Sequence, residues 1–204
     1  MNSLSKRIPN VGACRLLSVT ATQDSGVRLT LLPMEGERVS FTLSLPAYEQ
    51  LGAPAKGDML SPEQGDALVA AANLRGCLRH AANILGYGRN SERSLSQKLR
   101  RMGYLPEEIA YAIHKVTEAG LLKELDDAIH HIEGAARKGW SRRKTYAYLL
   151  SRGYSQEVVR DAIEEALAEG LVDFEENRRR FIEEKQAKGL TPDAIRAALY
   201  RAGF

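Results

Sequence analysis

The residues of this chain whose types and spacing suit them best to chemistry lie between Arg137 and Arg152. Arg137, Lys138, Arg142, Arg143, Lys144 and Arg152 fall in one stretch that contains no Asp or Glu, with Trp140, Tyr146 and Tyr148 interleaved. Six cations without an internal counter-charge favour a polyanion or an acidic protein surface. Aromatic rings among them offer stacking faces if the polyanion is single-stranded. The alternative is a solvated helix face with Trp140 and the tyrosines as packing residues. A second basic group holds Arg89, Arg93, Lys98, Arg100 and Arg101, opposed only by Glu92. The acids gather elsewhere, in Glu118 to Glu133 and Glu157 to Glu176. That segregation predicts a two-faced molecule; solubility and i,i+4 pairing are the alternative.

Other chemistries lack their residues. His130 and His131 are adjacent and so point about 100° apart on a helix, while His80 and His114 are isolated. No HExxH, GxSxG or P-loop pattern occurs. The pairs Glu107-Glu108, Asp126-Asp127 and Glu164-Glu165 stand at i,i+1 and do not face each other. Cys14 and Cys77 form no CxxC and no metal-ligand spacing, which predicts idle thiols in a reducing compartment. The expectation is a protein without catalytic residues, metal or cofactor. The start, MNSLSKRIPN, lacks the apolar core of a signal peptide, and no apolar run approaches the roughly 18 residues a spanning helix needs. A soluble, cytoplasmic protein is expected.

The elements that must position the basic residues can be read next. The 204 residues are 44% hydrophobic, 27% charged and only 6% aromatic, which suits a helical protein better than a sandwich or barrel. With 29 Lys and Arg against 26 Asp and Glu, the net charge of +3 is small, so the placement of charge carries the information. From Ala13 to Leu45 the partial alternation Cys14, Leu16, Val19, then Val27, Leu29, Leu31, then Val39, Phe41, Leu43 predicts three strands. Gln23-Asp24-Ser25-Gly26 and Met34-Glu35-Gly36-Glu37 supply the turns. A meander of this size has one face to cover and is expected to pack on the next helix. After a short helical turn at Ala47 to Leu51, Ser61 as N-cap, Pro62 at the first helical position and Glu63 open a long helix that runs to about Leu85. Beyond it the chain reads as helix throughout.

Those helices repeat. Gly103-Tyr104, Gly153-Tyr154 and Gly203-Phe204 stand 50 residues apart, as do Ser91, Ser141 and Thr191, and Leu99, Leu149 and Leu199. The hydroxyl residues are N-caps that satisfy an otherwise unpaired backbone N–H, and the glycines end the same helices in the left-handed conformation. A second helix begins at Pro106 or Gln156, and a third, over about 73–87, 124–138 and 173–188, precedes each N-cap. The expected fold is therefore mainly α, with tandem three-helix repeats of 50 residues stacked in an elongated, curved array behind a small three-stranded β segment. The expected organisation is residues 1–60 as the strand segment, 61–122 as the long helix with the first repeat, 123–172 as the second repeat, and 173–204 as a truncated third. Arg93 and Arg143 are equivalent by this offset, which predicts a basic stripe shared by the first two repeats; Asp193 stands at that place in the third.

The run from Ser91-Glu92-Arg93-Ser94-Leu95 through Gln97-Lys98-Leu99-Arg100-Arg101-Met102-Gly103-Tyr104, followed by Glu107, Ile109 and Gly120-Leu121, resembles the first repeat of RecX regulatory proteins. Arg137-Lys138-Gly139-Trp140-Ser141-Arg142-Arg143-Lys144 resembles the basic turn opening the second helix of their middle repeat, and Gly57-Asp58-Met59-Leu60 fits that family's approach to the long helix. The resemblance covers nearly the whole chain. It departs where Lys123-Glu124 replace an acidic pair, with Asp126-Asp127 slightly later, and where the third repeat ends at Phe204 without its last helix. The resemblance implies a non-enzymatic modulator of the RecA recombinase, a monomer that lies in the groove of the RecA filament on single-stranded or duplex DNA and inhibits its ATPase and strand exchange. The partner-contact residues would be Arg93, Lys98, Arg100, Arg101, Arg137, Lys138, Trp140, Arg142, Arg143, Lys144, Tyr148 and Arg152. The basic stretches alone fit equally a sequence-independent nucleic-acid-binding repeat protein.

Overall fold

The computed structural model describes residues 6–23 and 26–204. The chain forms two compact units: one takes the chain up to Gly86 together with Ser96–Glu118, and the other takes Tyr87–Leu95 and Ala119–Phe204.

In the first unit, β1 (Cys14–Ala21), β2 (Gly26–Pro33), β3 (Val39–Ser44) and β4 (Met59–Leu60) make an antiparallel sheet in the order β3-β2-β1-β4. Alternation puts Leu16, Leu29, Leu31, Phe41 and Leu43 into the core, and Arg15, Arg28 and Ser40 outside. The inward residues Cys14, Leu16 and Val19 are spaced by two and then three. A β-bulge between Leu16 and Ser18 absorbs the extra residue and restores the pattern. The fourth strand corrects the three-stranded expectation. Only two residues long, it carries no alternation to read, yet it pairs Leu60 with Cys14 and Met59 with Arg15. Backbone bonds from Gly57 N–H to Leu16 O (2.8 Å) and from Leu16 N–H to Asp58 O (3.0 Å) lead into it. The expected first turn includes Asp24 and Ser25, which lie outside the described residues; the second contains Gly36 at φ +124°.

The short α1 (Leu45–Gln50) is capped by Ser44. The long α2 (Pro62–Gly86) begins with a reciprocal cap: Ser61 Oγ accepts from Gln64 N–H, and Gln64 Oε1 accepts from Ser61 N–H. Leu68, Val69 and Ala72 of α2 cover the sheet's inner face, as expected. A glycine is required at 65, because a Cβ there would sit 2.4 Å from Gly12 O. The segment before β1 is tied along α2. Asp66 Oδ1 accepts from Val11 and Gly12 N–H at 2.9 Å, and Asn73 both donates to and accepts from the Ile8 backbone at 2.9 Å. After α3 (Glu92–Arg101), which bridges the two units in sequence, α4 (Pro106–Glu118) packs on α2 through Ile109, Ala112 and Val116. Cys77 is fully buried, which pushes its thiol up to about 12 and fits an inert core residue.

The second unit contains α5 (Glu124–Arg137), α6 (Arg142–Ser151), α7 (Gln156–Ala168), α8 (Phe174–Ala187) and α9 (Pro192–Ala202). Helix starts thus recur at Glu92, Arg142 and Pro192, and each is capped by the hydroxyl expected: Ser91, Ser141 and Thr191 accept from the N–H of Ser94, Lys144 and Ala194. The stripes Ala128, Ile132, Ala135 and Val159, Ala162, Ile163, Ala166 meet in the core with Leu149 and Tyr154. Among the described residues no helix is long and apolar enough to cross a membrane.

Candidate functional site

The basic residues of the second unit are presented by the turn between α5 and α6 and by α6 itself. Helix α5 stops because Gly139 takes φ +64°, letting Trp140 N–H return to Ala135 O at 3.1 Å. Ser141 then starts α6 with two bonds. Its Oγ accepts from Lys144 N–H at 3.2 Å and donates to Ala202 O at the end of α9, at 2.7 Å. Thr145 and Leu149, fully buried, fix the rotation of α6, so that Arg142, Arg143 and Lys144 lie in solvent.

The charge of that first turn runs against helix electrostatics. Unpaired N–H groups make a helix N-terminus positive, so acids are stabilising there and cations destabilising. Among the described residues, α2 through α9 all carry an acid in the first turn except α6, which carries three cations. None of Arg137, Lys138, Arg142, Arg143, Lys144 and Arg152 takes part in an ion pair among the described residues. The third repeat differs. There Arg179 and Arg180 are held by Glu176, Lys185 and Lys188 by Glu184, and Arg196 by Asp193. Within the second unit, cations without an ion pair are therefore densest around the start of α6.

Trp140 organises this charge. The ammonium groups of Lys144 and Lys138 stand 4.4 and 5.2 Å from its ring centroid, within cation–π range. Its edge meets Tyr148 at 5.3 Å. Tyr148 in turn meets His131, and His131 meets Tyr154, at 5.8 and 5.9 Å. The rings expected to stack on bases are thus used within the protein, where they hold two lysines in place. A pocket of about 120 Å³ between Arg137, Lys138, Trp140, Tyr148 and the two histidines completes the cluster.

Arg93 joins this unit from the start of α3. Ser91 Oγ donates to Arg152 O at 3.0 Å, repeating the bond of Ser141 to Ala202, so Arg93 flanks the end of α6 as Arg143 flanks the end of α9. Arg89 is engaged by Asp127 at 3.2 Å. Lys98, Arg100 and Arg101, on the later half of α3, belong to the first unit. Two residues outside the expected set line a groove of about 500 Å³ with Arg143 and Lys144: Tyr200, which is 76% exposed, and Arg201. The exposed aromatic at 200 was legible, as it falls off the stripe Ile195, Leu199 that α9 buries.

His131 sets a pH dependence. Burial, with Arg152, His130 and Arg89 nearby, pushes its pKa below the usual 6.5, and its Nε2 is buried with no partner among the described residues. The unfolded state then binds the proton more tightly, so this contribution is complete above about pH 6.5 and is lost as pH falls below it. His80 in the first unit is depressed in the same direction by burial, Arg79 and Lys6. Glu124 and Asp127, raised by burial, act with the opposite sign in a more acidic window. The urea midpoint of the second unit is expected to drop between pH 7.5 and 5.5, and His131→Phe to flatten that drop. An equal drop in the variant would remove His131 as its source.

No protein-family model matches the chain. It is 26% identical over 174 residues to a protein named Regulatory protein RecX from Caldanaerobacter subterraneus subsp. tengcongensis, covering 84% of this chain and 85% of that one. A solved structure described as regulatory protein RecX superposes with a TM-score of 0.69 over 94% of both chains at 14% identity, which shows the shared fold. A protein of the same name from Pseudomonas savastanoi pv. phaseolicola is 31% identical over 116 residues, 57% of this chain and 72% of that one. With this identity and this share of the relative covered, the chain belongs to the RecX family of regulatory proteins.

Proposed function

We propose that this protein is a non-enzymatic regulator of the RecA recombinase, a cytoplasmic monomer that binds the RecA filament on DNA, lies in its groove and inhibits ATP hydrolysis and strand exchange. The observation that carries the reading is the first turn of α6. Three cations at the positive end of a helix, with no acid in that turn, destabilise the free protein, and an anionic partner removes that cost. In this mechanism Arg142, Arg143 and Lys144, with Lys138 held against Trp140 and with Arg93, Arg137 and Arg152 beside them, face DNA phosphates or acidic groove walls. Tyr148 backs Trp140. Lys98, Arg100 and Arg101 add a contact from the first unit. A protein seated this way blocks the second strand and holds one filament conformation.

The second reading, sequence-independent binding to bare nucleic acid through stacked bases, is disfavoured at this surface because Trp140 and Tyr148 are covered by lysines and by each other. The deciding experiment is RecA's DNA-dependent ATP hydrolysis with preformed filaments, titrated with this protein, beside its affinity for the bare DNA in the same buffer. Inhibition well below the concentration that saturates bare DNA is expected. Inhibition that appears only at saturation would make simple competition for the strand the better account.

A further inference from the structure

The first unit carries a basic cleft that the proposed function does not use. It encloses about 650 Å³, and four of its lining residues are cations drawn from three separate parts of the chain: Lys6, Arg28 of β2, and Arg75 and Arg79 of α2. Among the described residues no Asp or Glu lines it. The walls are built firmly. Lys6 N–H donates to Met102 O at 2.8 Å, and Asn73 holds Ile8 by two 2.9 Å bonds, so the strand-like segment beside α2 is fixed. At the floor, Tyr104 crosses Gly76 and its hydroxyl meets His80 Nδ1 at 2.8 Å. The depressed pKa of His80, to which Arg79 and Lys6 contribute after burial, reports the positive field there. The opposite wall is the edge strand β3, which contributes Ser40, Phe41 and Thr42.

We infer that this cleft binds the sugar–phosphate backbone of a single-stranded nucleic acid, making the first unit a second, independent nucleic-acid contact. Three of the four cations are arginines, whose planar forks match phosphate oxygens two at a time, and the hydroxyl of Thr42 adds a donor. Cations on both sides of the sheet edge suit a chain charged at every backbone unit that passes across that edge. A strand added along β3 would need a longer ladder than the three residues that face the cleft. The volume falls in the range of about 300–1,000 Å³ for sites that enclose small ligands, enough for a short length of single strand and too small for a duplex.

The test uses the full chain without RecA, so it is separate from the filament reading. Fluorescence anisotropy of a labelled oligothymidylate is compared for wild type and R28E/R79E, with thermal melting to confirm folding. Affinity is expected to fall at least about 10-fold, and the slope of log K against log salt to become shallower by about 1.4, since each neutralised phosphate of a single strand contributes about 0.7. If the double reversal does not fold, R28Q and R79Q separately should each flatten the slope by about 0.7. Unchanged affinity and slope would overturn the assignment. So would displacement of the oligonucleotide by poly-glutamate at the same charge concentration as by unlabelled oligothymidylate, which would make an acidic protein the occupant.

Discussion

Reversing Arg142, Arg143 and Lys144 to glutamate is expected to destroy RecA-filament inhibition while leaving the protein as stable as wild type or more so. The two effects share one cause. The three side chains are exposed on α6, whose orientation is set by buried Thr145 and Leu149 on its other face, so the substitutions leave the core packing unchanged. They replace three cations at a positive helix terminus by three acids, each change favourable by about 0.3–1 kcal/mol at low ionic strength. Against that stands the loss of the Lys144–Trp140 contact, worth about 0.5–1 kcal/mol at an exposed site. The half-inhibitory concentration should rise roughly 100-fold in low salt and become less salt-dependent, because up to three phosphate or carboxylate contacts are removed. Inhibition equal to wild type would mean that α6 does not face the filament. A lower melting temperature would mean that its cations have partners in the folded state.

The second large effect concerns the joint between α3 and α6 in the second unit. Gly153 has φ +93°, and a Cβ added there would lie 2.7 Å from Ser91 Oγ. That hydroxyl caps α3 and also donates to Arg152 O, so it has little freedom to move aside. Gly153→Ala is therefore expected to cost about 2–4 kcal/mol: about 1–2 for a side chain in the left-handed region and about 1–2 more for disturbing a bonded, buried hydroxyl. Gly120→Ala supplies the comparison, since Gly120 also has positive φ, +65°, but open space around it. It should lose only the first part. In urea unfolding the difference between the two variants isolates the clash, and combining Ser91→Ala with Gly153→Ala should recover part of it as a non-additive coupling. Additive costs would show that the two positions do not share a joint.

Much of this molecule was legible in its sequence because the signals are local. An N-cap, a left-handed glycine and an apolar stripe each act over a few residues, so Ser141, Gly153 and the series Val159, Ala162, Ile163 and Ala166 announce a helix start, a helix stop and a buried face without reference to the rest of the chain. The cationic first turn of α6 belongs to the same class, being a matter of which charges follow a cap. The two-residue β4 does not, because its only reason to be extended is the free edge of β1. Which charges pair within one helix is also local: Glu176 with Arg179 and Arg180, Asp193 with Arg196, and Lys144 over Trp140 all lie three or four residues apart. Tertiary structure decided which charges meet across elements. It joined Arg89 to Asp127, set Arg93 beside the end of α6 through the bond of Ser91 to Arg152, and gathered Lys6, Arg28, Arg75 and Arg79 into one cleft. Helix ends and buried faces follow from neighbours within a turn or two, whereas the sign and freedom of a charged surface depend on Coulomb and packing contacts between residues that only the folded chain brings together.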